Sequence, residues 1–176
     1  MNKDNPMRKI SIEKVTVNIG AGSAGEVLEN AKKLLERLTG KKPLETKAKK
    51  RNPIFKLRVG LPIGVKVTLR GEDAENFLKN AFSANKNVLN ARAFDKEGNF
   101  SLGIKEYIDF PGAKYDPSLG MFGFDVCVTL KRKGGRRISI RRIKKSKVGK
   151  GHRISPEEGK EFVRNKFNIN IEEVGA

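Results

Sequence analysis

The chain has 176 residues, 38 Lys or Arg against 20 Asp or Glu, and a net charge of +18. That length suits one domain, or one domain with an extension. Cys127 is the only cysteine and His152 the only histidine, which excludes an internal disulfide, a structural zinc site and a Cys–His pair oriented by another histidine.

Ile10 and Ile12, then Val15, Val17 and Ile19, recur at period two, with a slip of parity that predicts a bulge at Glu13 and Lys14. This strand places Thr16 and Asn18 on its other face. The turn GAGSAGE follows, and the spacing of Ser23 and Glu26 makes Ser23 the expected N-cap of a helix. Val27, Leu28, Ala31, Leu34, Leu35 and Leu38 form its apolar stripe, and Gly40 ends it.

Residues 43–48 read as a short strand, and a long basic loop follows. Ile63, Val65, Val67 and Leu69 then alternate with Gly64, Lys66, Thr68 and Arg70, giving a strand with one core face and one polar, basic face. A second helix runs from Glu72 to about Phe82, with Ala74, Phe77, Leu78 and Ala81 inward. DKEGN at 95–99 predicts a turn between two short strands, a hairpin. Residues 107–123 are irregular. Phe124, Val126, Val128 and Leu130 alternate again, with Asp125, Cys127, Thr129 and Lys131 opposite. Ser155, Pro156, Glu157 and Glu158 open a C-terminal helix over 155–168, with Phe162, Val163 and Phe167 inward. Alternating rather than wholly apolar strands imply an α+β fold of two layers: a mostly antiparallel sheet, helices on one face, the other face free.

The charge is concentrated. Residues 46–70 carry +8 and residues 131–154 carry +12, so the rest of the chain is close to neutral. The second block, a basic extension before the last helix, has no Asp or Glu. Such a block repels itself in water and becomes favourable beside a polyanion, where it displaces condensed counterions. Two concentrated runs point to a nucleic-acid footprint.

Several constellations could serve that contact. The loop 47–58 holds Lys47, Lys49, Lys50, Arg51, Lys56 and Arg58 with Ile54, Phe55 and Leu57 interleaved, cations for phosphates and an apolar tip for stacking. Its alternative is Phe55 folded back onto the core. Asn18 and Thr68, with Lys66 and Arg70, would form a platform on the sheet for sugar hydroxyls and phosphates; Asn18 could equally cap the next turn. Ile138, Ile140 and Ile143 suggest local order in the extension, with Arg136, Arg137, Arg141 and Arg142 projecting for bidentate phosphate contacts. His152 reads as solvent- or RNA-facing. The glycines Gly20, Gly22 and Gly25 mimic a dinucleotide fingerprint, but the preceding strand alternates and a basic loop replaces the second βαβ half. They serve a tight turn, or a phosphate at a helix N-terminus. No acid–base pair stands apart, so neither an enzyme nor a cofactor nor a metal is expected. A small NADP-dependent reductase, and a basic protein binding DNA or acidic membranes, are the rival readings.

Several blocks in one register, VTVNIGAG, GKKPLETKAKK, LRVGLPIGVKVTLRG, FDKEGNFSLGIKEYIDFPGAKYD and MFGFDVCVTL, resemble the ribosomal protein L-five family, the 5S rRNA-binding proteins of the large subunit. The likeness runs from about Asn5 to Leu130 and resumes at the last helix; the extension resembles that of archaeal-type members. The resemblance implies one 5S rRNA-binding domain over 1–176, attached to 23S-type rRNA in the central protuberance of the cytoplasmic ribosome among neighbouring large-subunit proteins. It implies 5S rRNA contacts at the positions of Asn18 and Thr68. A third, usually Gln, falls on Lys41 here. It implies that the loop carrying Lys49 to Arg58 reaches P-site tRNA. It also implies a bridge to a small-subunit head protein of the S-thirteen family, whose residues the sequence does not place. No membrane partner is implied: the first ten residues lack the apolar core of a signal peptide, and no apolar run approaches the roughly 20 residues that span a bilayer.

Overall fold

The computed structural model describes residues 5–22 and 25–172. Strand β1 (Ile10–Gly20) is followed by helix α1 (Glu26–Thr39), strands β2 (Leu44–Lys47) and β3 (Pro62–Leu69), and helix α2 (Glu72–Ala84). Then come β4 (Val88–Asn90), β5 (Phe100–Ile104), β6 (Phe124–Arg132), the short helix α3 (Gly135–Ile140), helix α4 (Pro156–Phe167) and β7 (Asn170–Glu172). Five strands form one antiparallel sheet in the order β2-β3-β1-β6-β5, and β4 pairs with β7 in a separate parallel ribbon.

Strand alternation explains the layering. Val15, Val17 and Ile19 of β1, Val65, Val67 and Leu69 of β3, and Val126 and Val128 of β6 are all buried on one face. Helix α1 lays Leu28, Ala31, Leu34 and Leu35 on that face, chiefly over β3, and α2 adds Ala74, Phe77, Leu78, Ala81 and Phe82. Each such large side chain contributes about 1.5–3 kcal/mol by leaving water. The long helices α1 and α2 lie on this inner face, while the short α3 shares a cleft with Thr129 and Lys131 of the other face. The predicted α+β architecture is therefore the observed one, including the bulge, where the β1–β6 register shifts between Ile12 and Lys14.

Three local expectations need revision. Ser23, the expected N-cap, lies outside the described residues, and Gly25 occupies the N-cap position of α1. Val27 is exposed, since it falls beside the buried stripe and not within it. The 95–99 turn forms, held by Asp95 accepting from the amides of Glu97 and Asn99. Its upstream arm, however, is only an isolated bridge between Phe94 and Phe100, because β4 pairs with β7 instead. His152 is half-buried, its Nε2 3.0 Å from the Lys133 carbonyl oxygen, so it braces the extension while lining a surface cleft.

The C-terminal helix begins as its sequence dictates. Ser155 accepts from the Glu158 amide while Glu158 accepts from the Ser155 amide, a complete capping box with Pro156 in the first turn. Helix α4 approaches the 95–99 turn so closely that a Cβ on Gly159 would lie 2.7 Å from the Gly98 carbonyl oxygen. Arg132, buried at the end of β6, sends Nη2 to both carboxylate oxygens of Glu158 at 2.6 Å. Its Nε and Nη1 are buried without a hydrogen-bond partner among the described residues. In the irregular segment, buried Tyr107 accepts from the Asp116 amide through its hydroxyl. The Asp116 carboxyl is held down to about 2 by the Ser118 hydroxyl, then by Arg37 and the Ser118 amide.

Removing one partner of the Arg132–Glu158 pair should be asymmetric. Glu158→Gln leaves a buried guanidinium uncompensated and should cost about 1–3 kcal/mol. Arg132→Met removes that buried charge and leaves only a half-exposed carboxylate, and should cost less. Burial alone would raise the Glu158 carboxyl, but the Ser155 amide and Arg132 outweigh it and hold it below 4.5. Its stabilising contribution is therefore full above the ordinary carboxylate value and fades as pH falls through the lowered one. Thermal and acid unfolding of both variants, followed by circular dichroism, checks the ranking. Arg132→Met proving the more damaging would refute it.

Candidate nucleic-acid interface

The uncovered face of the sheet is built in cross-strand rows. Leu44, Lys66, Asn18, Asp125 and Gly103 are register partners across all five strands. The next row holds Thr68, Thr16, Cys127 and Ser101, and beyond it Lys14 faces Thr129. Asn18 and Lys66 are half-buried and Thr68 is exposed. None of the three has a side-chain hydrogen bond or ion pair among the described residues. Asn18 therefore does not cap the following turn, and its amide group points donors and acceptor outward. Amide and ammonium groups in one row, with hydroxyls in the next, can meet sugar hydroxyls and phosphate oxygens.

The 47–58 loop and the basic extension sit at opposite ends of this face. β3 begins beside the Gly20 end of β1, and β6 ends beside Ile10. At the first end the loop between β2 and β3 closes on itself through Ala48 with Gly60 and Leu61, and through Asn52 with Leu57. Lys47, Lys49, Lys50, Arg51, Lys56 and Arg58 are all exposed there, with no ion pair among the described residues. Ile54 is 86% and Phe55 70% exposed, so the loop's apolar tip faces solvent and not the core. Gly20 and Gly22 border the same end. The amides of Ala21 and Gly22 both donate to Ile63 O at 3.0 Å, so those two donors hold the turn to β3. Gly22 has φ +70, a conformation that favours glycine. At β1's rise of about 3.3 Å per residue, the two ends are about 30 Å apart.

At the far end the extension folds back on the bulge. Arg136 Nε lies 2.8 Å from the Glu13 carboxylate, and Arg70 Nη1 donates to the Glu13 carbonyl oxygen at 3.2 Å, 3.9 Å from the same carboxylate. Arg137 and Arg142 are exposed and unpaired among the described residues, while Arg141 Nε donates to Lys144 O at 2.6 Å. Lys41 follows α1 and pairs with Asp73 at 3.0 Å. The role of Glu13 was not readable from sequence. The bulge was visible in the parity slip, but nothing local announces an arginine 123 positions away. Among the described residues no cluster of His, Cys, Asp and Glu could hold a metal ion, and no helix is long and apolar enough to cross a membrane.

Comparison with known proteins gives the family. Residues 5–58 match the family model for ribosomal protein L5, and residues 62–162 match the model for the C-terminus of the same ribosomal family. The large ribosomal subunit protein uL5 of Methanococcus maripaludis strain C7 is 51% identical over 169 residues, covering 94% of this chain and 93% of its own. Those of Sulfurisphaera tokodaii and Picrophilus torridus are each 51% identical, with 96% of both chains covered. What these define is a structural component of the cytoplasmic ribosome and not an enzyme. The chain belongs to the ribosomal protein L5 family of the large ribosomal subunit.

An interface of this composition should show steep salt dependence. If about six phosphates are neutralised, log affinity for RNA should fall against log salt with a slope of about −4 to −5. Filter binding across a salt series measures it, and a nearly flat line would contradict the electrostatic reading.

Proposed function

We propose that the whole chain acts as one 5S rRNA-binding domain that helps attach 5S rRNA to the 23S-type rRNA in the central protuberance. What carries this reading is the open face on which Asn18, Lys66 and Thr68 stand without internal partners between two cationic ends. A-form RNA presents 2′-hydroxyls and phosphates over a wide, shallow groove, which a flat polar sheet with basic margins complements. Lys47, Lys66, Arg70 and Arg136 flank that face, and Arg137, Arg141 and Arg142 extend it. Gly20 and Gly22 let an RNA strand approach the turn without a side chain intervening. Lys41 takes the place of the family's usual glutamine and meets a phosphate once it leaves Asp73.

The exposed loop reaches P-site tRNA, with Lys49, Lys50, Arg51, Lys56 and Arg58 on phosphates and Phe55 against a sugar or base. Another surface meets a small-subunit head protein of the S-thirteen family, and neighbouring large-subunit proteins pack around the remainder. The printed names of the relatives support the large-subunit assignment. The loop's exposed aromatic supports a partner beyond the sheet face.

The two parts separate by mutation. Asn18→Ala with Thr68→Ala removes groups that fold nothing, so thermal stability should hold while 5S rRNA affinity falls about tenfold or more, at roughly 1 kcal/mol per lost hydrogen bond. Lys49→Glu with Lys50→Glu should leave 5S rRNA affinity within about threefold and weaken translation by reconstituted ribosomes. Equal loss of 5S rRNA binding in both double variants would place the loop within the 5S site and defeat the division.

A further inference from the structure

We propose that the basic extension forms a second site, sharing only Arg136 with the margin of the sheet face: a cleft that takes a single phosphate-bearing nucleotide unit. The cleft has a volume of about 420 Å³ and lies between α3, the 147–154 segment, the end of β6 and the bulge of β1. That volume falls within the usual range for small-molecule pockets, about 300–1,000 Å³. It is bounded by the extension and the bulged strand ends, away from the Asn18 row.

Its charge fits an anion. Its two carboxylates, Glu13 and Glu97, are each already matched to an arginine of the same wall, Arg136 at 2.8 Å and Arg153 at 3.7 Å. Lys131 and Lys147 remain without an ion pair among the described residues. The bound anion is left with two ammonium groups and the outer nitrogens of Arg136. Glu13, whose side chain is 16% exposed, is a positioning residue. The bulge turns it toward Arg136, so the guanidinium is held in place before any ligand arrives.

The walls are not those of a bare phosphate site. Ile140 and Val148 line the cleft beside the cations. Apolar walls beside phosphate-binding cations suit a ligand with one charged end and one flat, weakly polar body, which is the chemistry of a nucleotide. The nucleotide could come from the free pool or be one unit splayed out of an RNA strand.

Equilibrium dialysis of the full chain against radiolabelled adenosine 5′-monophosphate at low salt tests the site. One saturable site is expected. Lys147→Glu, on the exposed rim, and Ser139→Trp, which fills the cleft, should each weaken it about tenfold. Asn18→Ala with Thr68→Ala should leave it within about twofold, which separates this site from the sheet face whether or not 5S rRNA binds there. A single-stranded RNA pentamer distinguishes the sources. If Lys147→Glu weakens pentamer and monophosphate alike, the unit comes from a strand; if only the monophosphate is affected, it comes from the free pool. Absence of saturable binding, inorganic phosphate competing as well as the monophosphate, or full affinity in the Lys147→Glu variant would each overturn the proposal.

Discussion

Alternation along β1, β3 and β6 sends Val15, Val17, Val67 and Val126 into a helix-covered core and sends Thr16, Asn18, Lys66 and Thr68 to the other side. The rest of the molecule depends on that partition. Because side chains in a strand repeat every two residues, a slip of one position would bury Asn18 and expose Val17. The inner face fixes the register through apolar burial. The outer face then inherits its rows of polar groups without needing any contact to hold them.

The charge distribution follows from the same sheet. A net +18 would oppose compaction if it were gathered in one place. Here the 47–58 loop and the extension leave from opposite strand ends, about 30 Å apart along β1. With a Debye length near 8 Å at physiological salt, the loop and the extension do not feel each other strongly, and only Arg70, at the far end of β3, comes close to the extension. Glu13 relieves the crowded end further by pairing with Arg136 beside Arg70. The cations therefore bracket a neutral polar face, a geometry suited to an extended polyanion lying along the strands.

The sequence made much of this legible. Period-two patterns located β1, β3 and β6, the parity slip located the bulge, and Ser155 with Pro156 and Glu158 located the start of α4. These signals are local, and they survive because no distant contact opposes them. What stayed hidden depended on distant partners. The pairing of β4 with β7 joins residues about 80 positions apart and replaced the expected hairpin. The orientation of His152 depends on Lys133, and the clamp on Arg136 depends on Glu13. Asn18 and Thr68 share a face because each sits on the polar phase of a clear strand. The register makes Thr16, not Asn18, the direct partner of Thr68, and sets Lys66 opposite Asn18.

Cys127, the chain's only cysteine, lies exposed in the second row of the open face, between Thr16 and Ser101. Partial burial, then the nearby Asp125, pushes its thiol up, so alkylation at fixed, mildly alkaline pH will be slow but measurable. Comparing the maleimide labelling rate of the free chain with that of the 5S rRNA complex reports directly on whether RNA covers the sheet. Labelling slowed by about tenfold or more on complex formation is the expected result. An unchanged rate in a saturated complex would mean that the RNA lies elsewhere.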